Sequence, residues 1–189
     1  MRKTGAAALI LALGSLASPA RAADNFTVDD AHTSVSFQIQ HLGLSWVHGR
    51  FNDVAGAFTI DKSDPSKASF SLTIKTKSID TNNKKRDEHL SSPDFFNVAQ
   101  YPTIKFESKS VKAVDGGYEV KGDLTLHGET KPVTFTLKGG KEAEFPKGTT
   151  RTGFTTELTL KRSDYGMDKM LNAVGDDVKI AISFEGTKK

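Results

Sequence analysis

Apolar and polar residues alternate one for one through most of this chain, and that period of two constrains the fold more than any other feature. Val35, Phe37 and Ile39 alternate with Ser34, Ser36, Gln38 and Gln40, and Phe70, Leu72 and Ile74 with Ser69, Ser71, Thr73 and Lys75. The pattern returns around Ile104 and Phe106, then Tyr118, Val120, Leu124 and Leu126, then Val133, Phe135 and Leu137. It returns again in Phe154, Leu158 and Leu160, and in Val178, Ile180, Ile182 and Phe184. Successive side chains of a strand point to opposite faces, so each segment reads as a strand with one dry face and one wet face. Asp64-Pro65-Ser66, Asp115-Gly116-Gly117 and His127-Gly128-Glu129-Thr130 are the turn signals between them. Gly139 to Gly148 reads as a loop. In Val47–Asp61, Phe51 is out of phase with Phe58 and Ile60, which requires a bulge near Asn52–Val54.

Eight or nine such strands joined by short turns make one long antiparallel sheet, which must curl or split to hide its apolar side. Closure also removes the exposed edges, so the expected fold is all-β, an eight-stranded antiparallel barrel. A two-layer sandwich meets the same pattern and is the alternative. The alternation breaks at Asn83–Tyr101. Lys84 to Leu90 is charged and free of Gly, Pro and β-branched residues, which predicts a short helix. Pro93 disfavours helical geometry at Ser92 and ends it. Asp94, Phe95 and Phe96 follow, and two such rings need burial, so this stretch reads as a cap over one end of the sheet.

Residues 1–22 have the character of a secretory leader: Arg2 and Lys3, an apolar run from Gly5 to Ala17, and Ala20-Arg21-Ala22 as a cleavage site. Three of the 26 Lys and Arg residues lie there and no acid does, which leaves 23 bases against 23 acids in residues 23–189. The basic balance therefore belongs to the leader, and a nucleic-acid partner loses its support. The chain has no cysteine, hence no disulfide, thiol nucleophile or lipid-anchored thiol. A single periplasmic domain over 23–189 is the expected product, with release into the medium as the alternative.

Chemistry-bearing motifs are sparse. His41 and His48 bracket a bend and His32 precedes the same strand, but no HxH or HExxH spacing gives them the three or four ligands that zinc takes, so no metal and no cofactor is expected. GxSxG, GxGxxG and the Walker loop are absent, and Asp87 and His89 point apart on a helix. A binding protein is expected rather than an enzyme.

The inward-facing set, read from the alternation, is Phe37, Ile39, Phe51, Phe58, Ile60, Phe70, Leu72, Ile74, Phe106, Leu124, Phe135, Leu158, Ile180 and Ile182. An eight-stranded barrel either fills its interior with such side chains or holds one small ligand. A longer resemblance bears on that choice. HxSVxFxIxHLGxSxVxGxF from His32 to Phe51, RDxHLxSPDFF from Arg86 to Phe96 and YPTIxFxS from Tyr101 to Ser108 are similar to motifs of the YceI-like, polyisoprenoid-binding periplasmic proteins. So are GDLTLHGxTKPV from Gly122 to Val133 and the closing RSDYGM and VGDDVxIxI. The resemblance implies a lipocalin-like barrel whose apolar cavity binds an isoprenoid chain, such as a polyprenyl quinone or polyprenyl diphosphate, or a similar long-chain amphiphile. It makes the inward set a candidate cavity wall, and Arg86, His89, Phe95 and Phe96 a candidate mouth. Lys84 and Lys85 read instead as a solvated helix face. Met167 and Met170, flexible apolar residues in the Met167–Leu171 loop, form a candidate lid or simply plug one end. Tyr165 stands where the family often has Phe. A stress-related binder of varied lipophilic compounds is the second reading, and a small enzyme or metal-binding protein the third. Transient contact with a membrane is compatible with either.

Overall fold

The computed structural model describes residues 23–188, so the expected leader lies outside the described residues. The strands are β1 (Asp24–His41), β2 (Ser45–Phe51), β3 (Val54–Ile60), β4 (Ser69–Lys75), β5 (Ile79–Asp80), β6 (Thr103–Val114), β7 (Gly117–Leu126), β8 (Glu129–Glu144), β9 (Thr150–Lys161) and β10 (Val174–Lys188), with one α-helix, α1 (Lys84–Ser91), between β5 and β6. Around the ring the order is β1, β3, β4, β6, β7, β8, β9 and β10, and β10 pairs back onto β1. Every pairing is antiparallel. The result is a closed eight-stranded barrel, the expected fold, and closure leaves no sandwich.

β2 and β3 form one stave interrupted at Asn52 and Asp53, whose amides donate to Ser78 Oγ at 3.1 Å. That interruption supplies the expected change of phase between Phe51 and Phe58. β1 runs unbroken from Asp24 to His41, with a register shift between Asp29 and Ser34. One reading changes. The expected Gly139–Gly148 loop is mostly strand: β8 runs on to Glu144 and Glu142 pairs with Thr152. Gly139 (φ 126°) and Gly140 (φ 90°) take up a bulge that residues with a Cβ resist, so the strand bends instead of ending.

The interior is divided lengthwise. At the end that holds the β3–β4, β6–β7 and β8–β9 turns, Phe26, Phe58, Phe70, Phe154 and Phe184 are buried together with Val120 and Leu137. Phe58 is the hub, stacked on Phe26 at 5.0 Å and Phe70 at 5.7 Å, with edge contacts to Phe154 at 5.7 Å and Phe184 at 5.6 Å. Each such pair adds about 0.5–1.5 kcal/mol beyond the area it buries. Outside this end Arg151 bridges Asp29 at 2.5 Å and Glu185 at 3.4 Å. The other half of the barrel has a different interior.

Candidate functional site

A cavity of about 390 Å³ occupies that other half, within the roughly 300–1,000 Å³ of typical ligand sites. Its floor is Phe106 and Phe135, whose rings lie 5.1 Å apart above the phenylalanine plug. β1 contributes Phe37 and Ile39, β2 Phe51, β4 Leu72 and Ile74, β7 Leu124, β9 Leu158, and β10 Ile180 and Ile182. Register explains the grouping: Phe37 lies opposite Ile180, and Ile180 opposite Leu158.

All the expected wall residues line the cavity except Phe58, Ile60 and Phe70. Those three point inward as expected but belong to the plug. Alternation assigns a side chain to the interior without saying how far along the axis it sits. Val35, Ile104, Leu126, Val133, Leu160 and Val178 also line the cavity, and the same alternation contains them.

The segment around α1 covers the mouth. Asn83 caps the helix by accepting from Arg86 N at 3.1 Å, and Ser92 closes it by donating from Oγ to His89 O at 2.7 Å. Arg86 turns inward and grips Thr81, with Nε to Oγ1 at 2.7 Å and Nη2 to the carbonyl at 2.7 Å. Asp87 accepts from the Thr81 amide at 2.9 Å and from its hydroxyl at 2.5 Å. Arg86 and Asp87 thus hold a common partner. Arg86, His89, Phe95 and Phe96 all line the cavity, and the Phe96 ring meets Phe51 edge-on at 5.7 Å. His89 packs against Phe95 at 5.0 Å and bonds Asp94 through Nε2 at 3.1 Å.

On the opposite rim the Arg162–Ala173 connection joins β9 to β10. Arg162, only 4% exposed, donates to four carbonyls: Met167 at 2.6 Å, Lys169 at 2.8 Å, Gly175 at 2.9 Å and Val174 at 2.9 Å. Burial pushes the guanidinium pKa down, with Asp176 and Asp168 opposing. Sequence reasoning missed this residue because its partners are backbone atoms, which leave no mark in the side-chain pattern. The clasp fixes Met167, which is buried, and Met170, which is half out; both line the cavity. Tyr165 is buried beside them, and its phenol pKa is raised by desolvation. Asp94 ties the two rims together, accepting from His89 on one side and lying 3.6 Å from Lys169 Nζ on the other. His89 and then Lys169 hold its carboxyl below the usual range.

The sequence pattern that defines the YceI-like domain matches residues 26–186, almost the whole barrel. This chain belongs to the YceI-like family. A UPF0312 protein of Pseudomonas aeruginosa is 43% identical over 193 residues, covering 100% of both chains. One of Serratia proteamaculans is 43% identical over 185 residues, covering 97% of this chain and 94% of its own. Among solved structures, the Campylobacter jejuni YCEI protein is 29% identical with a TM-score of 0.71, over 79% of this chain and 90% of that one. A polyisoprenoid-binding domain from Saccharophagus degradans, implicated in plant cell wall breakdown, shares the fold at 16% identity and a TM-score of 0.65, over 87% and 98% of the two chains.

A YceI-like barrel with one apolar hollow and a few polar groups at its mouth is built to bind. Among the described residues no group of three or more His, Asp or Glu is placed to hold a metal ion, and no helix is long and apolar enough to cross a membrane.

Proposed function

We propose that this protein holds an isoprenoid chain, as a polyprenyl quinone, a polyprenyl diphosphate or a similar long-chain amphiphile, and carries it through the periplasm after removal of residues 1–22. The observation that carries the reading is the half-hollow barrel: an apolar cavity floored by Phe106 and Phe135, with Arg86 and His89 at its covered mouth. The chain lies along the wall with its head beside those two residues. Arg86 serves the head group, because its Nη1 makes no hydrogen bond among the described residues and a guanidinium fork suits oxyanions.

Energetics favour a carrier over a trap. Each isoprene unit buries about five carbons at about 0.8 kcal/mol each, or roughly 4 kcal/mol against water. Several units would approach the ceiling of about 20 kcal/mol on non-covalent affinity. The same units are equally dry in a bilayer, so transfer between membrane and barrel has a small net free energy and runs both ways.

Native mass spectrometry of undenatured protein purified from cells tests the reading. One polyprenyl species per chain is the expected result. A spread of unrelated amphiphiles would favour the broader lipophile binder, and a protein that stays empty after incubation with polyprenyl-loaded vesicles would overturn both.

A further inference from the structure

We propose that the open end of the barrel is a membrane-docking surface, on which Leu44, Leu171 and Trp46 enter the outer layer of a lipid bilayer so that a guest passes into the cavity without crossing water. The proposal rests on the lipid-binding reading above and assigns a place and a partner to the transfer step.

Seven large apolar residues are exposed among the described residues, and five of them stand at this one end: Leu42, Leu44, Trp46, Met170 and Leu171. Leu44 is the most exposed, at 84%. They come from two turns that touch, since Leu42 N donates to Ala173 O at 2.7 Å and His41 pairs with Val174. His41, Val174 and Met170 themselves line the cavity, so the exposed cluster is continuous with its wall.

The backbone supplies an independent observation. Among the described residues five that are not glycine have positive φ: Asn82, Asn97, His127, Leu42 (φ 54°) and Met170 (φ 59°). Asn and His visit that region readily, whereas for a bulky residue it is an outlier that costs on the order of 1–3 kcal/mol. Both bulky outliers sit at the mouth with their apolar side chains partly exposed, Leu42 at 56% and Met170 at 42%. A turn selected for local stability in water would carry Gly or Asn there.

The chemistry selects a bilayer. From their fractional exposures the five residues offer on the order of several hundred Å², below the roughly 800 Å² per partner that a stable protein–protein contact buries. It consists of knobs on turn tips, which suit a fluid phase better than a matching flat surface. Trp46 carries the Lys179 ammonium 4.4 Å from its ring centroid, an apolar body with a cation at its edge, the combination that settles at headgroup level. The exposed apolar side chains supply the main driving term and the Lys179 ammonium a smaller, screenable one, so docking should largely survive salt.

The chain has a single tryptophan, so its emission reports on this rim. The mature protein is mixed with phosphatidylethanolamine–phosphatidylglycerol vesicles whose acyl chains carry bromine. The expected result is a blue shift and quenching of Trp46 that persist at high salt. The double variant Leu44→Asp/Leu171→Asp, whose altered residues do not line the cavity, should lose about tenfold or more in vesicle affinity. Its melting temperature and copurified guest should be those of the parent. Vesicle binding without quenching, or a variant that binds as well as the parent, would overturn the proposal. So would a parent dimer that the double variant dissolves, which would make the rim a contact between two copies. Quenching by a protein that stays empty after incubation with polyprenyl-loaded vesicles would leave the docking surface standing and remove the cavity reading.

Discussion

Gly49 lies directly across the β1–β2 ladder from Phe37, and a Cβ at Gly49 would overlap the end of the Phe37 ring. The missing side chain lets that ring lie against the wall instead of across the cavity. Gly49→Ala should therefore push Phe37 into the hollow, with an overpacking cost of about 1–3 kcal/mol. Affinity for long polyprenyl chains should fall more than affinity for short ones. Titration of chains of graded length against parent and variant checks this.

The plug predicts the opposite separation. Phe58 touches four other rings and none of the cavity, so Phe58→Ala should cost about 3–5 kcal/mol of stability. Guest affinity, measured well below the lowered melting point, should stay close to that of the parent. Denaturant unfolding and ligand titration on the same sample distinguish the two effects.

Arg162 is the clasp of the β9–β10 connection. Arg162→Met removes four charge-assisted hydrogen bonds to backbone carbonyls and should cost about 3 kcal/mol or more. For a domain of this size that is a fall of roughly 6–12 °C in melting temperature. Amide exchange should quicken most over residues 166–175, the segment the guanidinium holds. A uniform rise across the barrel would contradict this role.

Acid should loosen the mouth. Asp94 is held below the usual carboxylate range, first by His89 and then by Lys169, and Asp176 is held there chiefly by the Ser163 amide. Groups with depressed folded pKa contribute stability that is present above about pH 4, their unfolded value, and is lost as pH falls through the lower folded value. Melting temperature should thus be flat toward neutral pH and drop below about pH 4. Asp94→Asn should give, at neutral pH, the faster exchange of 166–173 that the parent shows only in acid.

The alternation of residues carried the barrel and most of its lining, because a strand with one dry face records its orientation at every second position. It also carried the break at Asn52–Asp53, as the change of phase between Phe51 and Phe58. Position along the axis left no such record: Phe58 in the plug and Phe37 on the cavity wall look alike in one dimension. Arg162 was hidden for a related reason, since four carbonyls supplied by Met167, Lys169, Val174 and Gly175 have no residue-type signature. The Gly139-Gly140 pair, read as a loop, is a bulge because the flanking residues still find partners on β9.

The division of the barrel into a hollow half and a filled half is open to direct measurement by intermolecular NOEs from a bound polyprenyl diphosphate to the protein's side chains. The structure predicts contacts to Leu124, Leu158, Ile180 and Ile182, and none to Phe26, Phe154 or Phe184. Contacts to the outer face of the barrel, or to those three phenylalanines, would contradict it.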